Sequence, residues 1–129
     1  MSTIRLSSPC FGDAEIESVS EVLLSQKVSM GSVVKQFEAE LLDFFGMKNA
    51  SISCVSSCTA ALQLSLQASG IGIGDEVLVP TFTFVATFQA IRATGALPVP
   101  CDVDCDDGFI DIDDARSRIT QATKAIVPV

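Results

Sequence analysis

The sequence predicts an α/β fold: a three-layer sandwich in which helices cover both faces of a mostly parallel sheet. Two observations carry this. From residue 50 onward, strand-like and helix-like patterns alternate as β-α-β-α-β-α-β, an order that parallel strands need because their crossovers are helical. The chain is also 48% apolar and 19% charged, enough to build a core and unlike a disordered tail. Its 129 residues fit one domain or a piece of a larger one.

Asp13 is expected to cap a first helix carrying Ile16, Val19 and Leu23, with Glu15 and Glu17 near its positive end. Ser32 is expected to cap a second, whose stripe is Val34, Phe37, Leu41, Phe44 and Phe45, and Gly46 ends it. Residues 50–55 read as a strand, and Thr59 to Ser69 as an Ala- and Leu-rich helix closed by Gly70. Residues 76–79 form a short β-branched strand stopped by Pro80. Phe84, Phe88 and Ile91 stand at i, i+4 and i+7, so residues 83–94 read as a helix closed by Gly95. Leu97 to Val103 is read as a strand despite two prolines, Asp113 or Asp114 opens a short helix through Ile119, and residues 125–129 form a last strand. The chain thus divides into a helical segment, 1–48, and an α/β portion, 49–129. The apolar strand at Val129 has no polar tail, so the reading expects a domain cut short at its C-terminal side.

Composition narrows the function. Eight Lys and Arg against 16 Asp and Glu give a net charge of −8, which argues against phosphate-led nucleic-acid binding and against anionic membrane. With no His, the chain holds no Ser-His-Asp triad, no Cys-His dyad and no His-ligated zinc. No basic start precedes an apolar run, and no stretch reaches the length of a membrane span. Five cysteines, an odd number, argue against a disulfide framework, and a cytoplasmic setting is expected.

Four motifs remain. Ser56-Ser57-Cys58-Thr59-Ala60-Ala61-Leu62 lies where a strand gives way to a helix. Unpaired N–H groups, the positive helix end, small side chains and a Thr hydroxyl together make a phosphate cradle; an ordinary Ser/Thr cap explains the same residues. Pro80 to Thr87 also begins at the carboxyl end of a strand, where α/β sheets bind ligands. Phe82 and Phe84 there either stack on a planar ring or pack in the core. Seven Asp fall between Asp102 and Asp114. Asp102, Asp104, Asp106 and Asp113 match EF-hand positions 1, 3, 5 and 12, but Asp107 replaces the Gly of position 6 and a Pro-rich segment replaces the entering helix. A solvated loop of turns and caps is the other reading. The pairs Cys54/Cys58 and Cys101/Cys105 have three-residue gaps where metal sites favour two, so no metal site is expected.

Taken in order, the motifs resemble the DegT/DnrJ/StrS-type sugar aminotransferases, a fold-type-I pyridoxal-phosphate family. The resemblance spans the whole chain. Ile4 to Gly12 is similar to that family's opening, and Gly31, Val34 and Phe37-Glu38 to its "G…v…FE". Ser57-Cys58-Thr59-Ala60-Ala61-Leu62 resembles its S-G-T-A-A-L, Gly70 to Val77 its "lGi-GDEV", and Pro80 to Thr87 its "P-TFvAT". Gly95 to Asp104 fits "Ga-PvfvDvd", and Thr123 to Val129 fits "TkAIiPV".

The resemblance implies the first part of the cofactor-binding large domain. It implies that Ser57, Cys58, Thr59 and Ala60 hold the phosphate of pyridoxal 5'-phosphate and that Phe84 stacks on its ring. It further implies transamination of a nucleotide-linked keto-sugar, with an amino acid donor such as glutamate, by a homodimer. Cys58 stands where the family has Gly, a strained exchange if that position needs a positive φ. The family's Schiff-base lysine lies beyond Val129, so no catalytic residue is expected within these 129 and the chain alone is expected to be inactive and poorly soluble. Two alternatives stand beside this: a sugar dehydratase of the same family, and a non-catalytic acidic module binding calcium or a partner through residues 102–114.

Overall fold

The computed structural model describes residues 7–129; Ile4, Arg5 and Leu6 of the opening motif lie outside the described residues. Two compact units are present, Met1–Cys54 and Val55–Val129.

The first unit holds α1 (Asp13–Leu24) and α2 (Ser32–Phe44). Both helices start one residue earlier in the cap than expected. Gly12 and Gly31 take the cap positions in extended backbone, and Asp13 and Ser32 become first helical residues. At α1 no side chain caps the first helical N–H groups, and the Glu15 carboxylate instead reaches back and accepts the Gly12 N–H at 2.7 Å, the return half of a capping box. That bond holds the Glu15 carboxyl below its usual range. Gly46, at φ +65°, ends α2 as expected.

Residues 50–55 do not form the expected strand. A strand exists only through a ladder partner, and among the described residues none takes this segment. The Cys54 N–H is instead accepted by the Glu38 carboxylate of α2 at 2.7 Å.

The second unit holds α3 (Cys58–Ala68), β1 (Glu76–Pro80), α4 (Ala86–Ala93), β2 (Leu97–Cys101), α5 (Ile112–Ser117) and β3 (Thr123–Ile126). The sheet order is β2-β1-β3 and both pairings are parallel. β1 is therefore central, and its Val77, Leu78 and Val79 are almost wholly buried. One face packs Val77 and Val79 with Leu66 of α3 and Ile91 of α4; the other packs Leu78 with Cys101 and Ala115 of α5. Helices thus lie on both sides, giving the three layers. The path β1-α4-β2 steps one way over one face, and β2-α5-β3 returns over the other. Reversing direction and face together keeps one crossover hand, which sterics make right-handed.

The prolines of β2 fit because β2 is an edge. Leu97 donates its N–H to Asp75 O, at 2.9 Å, so residues 97, 99 and 101 turn their backbone groups toward β1. Pro98 and Pro100 occupy the alternate positions, where no N–H is needed and where their rings block further pairing. Gly95, closing α4, has φ +90°, and a Cβ there would stand 2.7 Å from Ile73 Cγ1. Only glycine fits that turn.

Candidate functional site

Ser57 caps α3 in extended backbone, at φ −165° and ψ 161°. Its Oγ accepts the Ala60 N–H at 3.1 Å, and its carbonyl accepts the Ala61 N–H at 3.0 Å. The ordinary capping role is therefore real. It does not exhaust the helix start, because the N–H groups of Cys58 and Thr59 have no partner among the described residues. Ala60, by contrast, brings a small side chain but an N–H already used. α1 and α5 carry carboxylates in their first turns, whereas α3 carries none. Its positive end is not compensated by a carboxylate of its own first turn.

Cys58 is the first residue of α3 and exposed, and Gln26 is the non-glycine residue with positive φ among those described. The strain anticipated for a cysteine in place of glycine is absent, because the position is helical rather than left-handed.

Helix α4 begins at Ala86 rather than at residue 83, so Phe84 lies in the loop after β1. Phe82 is 74% exposed and Phe84 78%, so neither is buried in a core formed by the described residues. The loop is nevertheless tethered. Thr81 donates its N–H to Cys101 O at 2.9 Å, Thr87 donates its N–H to Phe84 O at 3.0 Å, and the Thr83 and Thr87 hydroxyls pair at 2.9 Å. That hydroxyl pair was not anticipated from sequence; its signal is two threonines spaced i, i+4 across a helix start.

Topology brings the two features to one place. α3 leads through residues 69–75 into the start of β1 and packs against α4, with Leu66 in the cluster of Val77 and Val79, which places its own start toward the end where β1 finishes and α4 begins. Phe84 follows that same end of β1. Two unpaired N–H groups at a helix start and an exposed aromatic thus share the carboxyl edge of the sheet, where open α/β sheets bind ligands. A phosphate on a planar ring fits this pair: the donors for the anion are free and the ring face is uncovered.

The acidic loop is built otherwise. Asp102, Asp104 and Asp107 accept the N–H groups of Val103, Asp106 and Phe109, and Asp111 caps α5 by accepting from Asp113 and Asp114. Asp111 thus replaces the cap expected of Asp113 or Asp114. Asp114 accepts the Asp102 N–H at 2.7 Å and a two-pronged bond from Arg118 at 2.6 and 2.8 Å. The Arg118 bond and then the Asp102 N–H hold the Asp114 carboxyl below its usual range. These carboxylates serve turns and caps, and no group of three or more Asp, Glu or Cys among the described residues is placed to hold a metal ion. All five cysteines are free; Cys101 is buried, and burial pushes its thiol up, while Cys10, Cys58 and Cys105 are exposed.

Residues 9–129 match the model of the DegT/DnrJ/EryC1/StrS aminotransferase family. The spore coat polysaccharide biosynthesis protein SpsC of Bacillus subtilis is 46% identical over 123 residues, covering 95% of this chain and 31% of that protein. The dTDP-4-dehydro-2,3,6-trideoxy-D-glucose 4-aminotransferase of Saccharopolyspora spinosa is 38% identical, covering 96% of this chain and 32% of that protein. The chain thus spans about a third of the length of these relatives. Among solved structures, an aminotransferase from Psychrobacter cryohalolentis superimposes with a TM-score of 0.85 at 38% identity, over 93% of this chain and 30% of that one. The GDP-4-keto-6-deoxy-D-mannose-3-dehydratase of E. coli, with bound hydrated PLP, gives 0.86 at 29% identity, over 99% and 34%. The fold is that of the fold-type-I pyridoxal-phosphate enzymes, and the chain belongs to the DegT/DnrJ/EryC1/StrS aminotransferase family.

Proposed function

We propose that this chain supplies the phosphate cup and the ring-stacking face of a pyridoxal-phosphate enzyme that aminates a nucleotide-linked keto-sugar, with an amino acid, glutamate in our reading, as donor. The observation that carries the reading is the unpaired N–H pair of Cys58 and Thr59 at the same sheet edge as the exposed Phe84. Ser57 shapes the helix start, Thr59 adds a hydroxyl, and Ala60 keeps the approach clear. Phe84 offers one face to the pyridine ring. The cofactor, when bound, acts as an electron sink, and the surrounding protein positions it. The amine-bonding lysine belongs to polypeptide beyond Val129 in this reading, so these residues bind and orient rather than react.

The keto-sugar substrate is supported by the Saccharopolyspora relative, whose name specifies a dTDP-linked dehydro-sugar. The dehydratase neighbour favours a second reading, in which the same cup serves removal of a hydroxyl beside the keto group of such a sugar, with the amino acid as the source of electrons. Five free cysteines support a reducing, cytoplasmic setting. No helix of the described residues is long and apolar enough to cross a membrane. Exposed apolar side chains on α1 and α2 support assembly of the whole protein as a dimer.

The test is to incubate the complete protein with pyridoxal phosphate, glutamate and a nucleotide-linked 4-keto-sugar, and to identify the sugar by mass. An amino-sugar with stoichiometric 2-oxoglutarate is expected. A deoxy-keto-sugar that carries no amino group, formed with one 2-oxoglutarate and one free ammonia, supports the dehydratase, because removing a hydroxyl beside a carbonyl is a two-electron reduction that glutamate supplies; no conversion of any keto-sugar overturns both.

A further inference from the structure

We propose that Thr87 is a positioning residue for Phe84, acting through the hydroxyl of Thr83. This rests on the reading of Phe84 as the stacking face. Thr87 is the buried polar side chain among the described residues, at 5% exposure, and a buried hydroxyl must find a partner. Elsewhere in this chain helical hydroxyls bond back to a carbonyl one turn earlier, as Ser20 does to Ile16 O and Ser69 to Ser65 O. Thr87 instead pairs with the side chain of Thr83, at 2.9 Å, outside the helix. Its N–H meanwhile donates to Phe84 O at 3.0 Å. One buried residue therefore holds both neighbours at the start of the loop's last turn: Thr83 by side chain and Phe84 by backbone.

The Phe84 ring is exposed, so packing does little to aim it. Its direction is set by the backbone of residues 83–85. Upstream, Thr81 fastens the loop to Cys101 O of β2. With both ends tied, the backbone that carries the ring is fixed before a ligand arrives, and the entropy of ordering the loop is not charged to binding. Valine fills nearly the volume of threonine, so packing alone does not call for the hydroxyl at position 87.

The experiment titrates the complete protein with pyridoxamine 5'-phosphate, followed by its fluorescence, in Thr87→Val, Thr87→Ser, Thr83→Val and Phe84→Leu variants. Melting curves are recorded alongside. Thr87→Val and Thr83→Val are each expected to raise Kd about three- to ten-fold, the size of one lost hydrogen bond, and the double variant no more than either. Thr87→Ser restores binding to within about two-fold of the parent, well inside that loss. In the Phe84→Leu background, Thr87→Val adds nothing. Thr83→Val carries the test if Thr87→Val does not fold, since Thr83 is half-buried at the surface. A weakened Phe84→Leu with both threonine variants unchanged overturns the positioning role alone. An unchanged Phe84→Leu overturns the stacking reading and the positioning role with it. A Thr87→Val loss that persists in full without Phe84 makes Thr87 a structural residue only.

Discussion

Cys58 shows how one residue's consequence depends on its backbone. In the left-handed region a side chain would be strained, but the first residue of α3 is ordinary helix. Cys58→Gly therefore relieves nothing. It is expected to lower stability by up to about 1 kcal/mol through added chain freedom, and to leave cofactor affinity within a few-fold. Thermal melting and titration check this, and a stabilised variant would mean that the helix start is under strain. Gly95 is the opposite case. With φ +90° and Ile73 Cγ1 2.7 Å from any Cβ, Gly95→Ala is expected to cost more than about 1 kcal/mol, read as a lowered urea midpoint. An unchanged midpoint would show that the 73–95 contact yields freely. The roles of Phe84 and Thr87 were not equally legible in sequence. The i, i+4, i+7 spacing drew Phe84 into a helix, because periodicity counts apolar residues without seeing where the hydrogen bonds begin.

At the scale of elements, α2, α3 and α4 are readable because their apolar spacing and closing glycines agree with one another, whereas β2 stops at Cys101 rather than Val103 and β3 runs Thr123–Ile126 rather than 125–129, because pairing with β1 and not apolar character sets strand ends. Residues 50–55 were not readable, since a strand depends on a partner that the segment itself does not encode. The caps moved by one or two residues for a similar reason: Asp13, Asp111, Asp113 and Asp114 are all chemically able to cap, and backbone geometry puts Gly12 at the cap of α1 and Asp111 at that of α5. The Asp114–Arg118 pair, with the Asp102 N–H, ties the entry of the acidic loop to α5. Because the folded carboxyl titrates below its usual range, its stabilisation is full above the unfolded value, near about pH 3.9, and is lost as pH falls through the lowered folded value. The melting difference between the parent and Asp114→Asn should hold at neutral pH and shrink below about pH 4. A difference undiminished in strong acid would place the effect of the substitution elsewhere.

At the scale of the molecule, the sheet is guarded on one side and open on the other. Pro98 and Pro100 close the β2 edge, while β3 has a neighbour on one side only among the described residues. Ile16, Val19 and Leu23 of α1 and Phe37 and Phe44 of α2 are also exposed. The 129-residue chain on its own is expected to associate, with light scattering rising steeply with concentration. A monodisperse monomer at high concentration would show that these faces are tolerated in water. The central claim, however, concerns the start of α3 and the loop after β1. It is tested most directly by comparing the affinity of the complete protein for pyridoxamine 5'-phosphate and for pyridoxamine. Two backbone N–H groups and a hydroxyl on a phosphate should favour the phosphorylated compound by about a hundred-fold or more, and Phe84→Leu should weaken both. Equal affinities for the two compounds, unchanged by Phe84→Leu, would contradict the site.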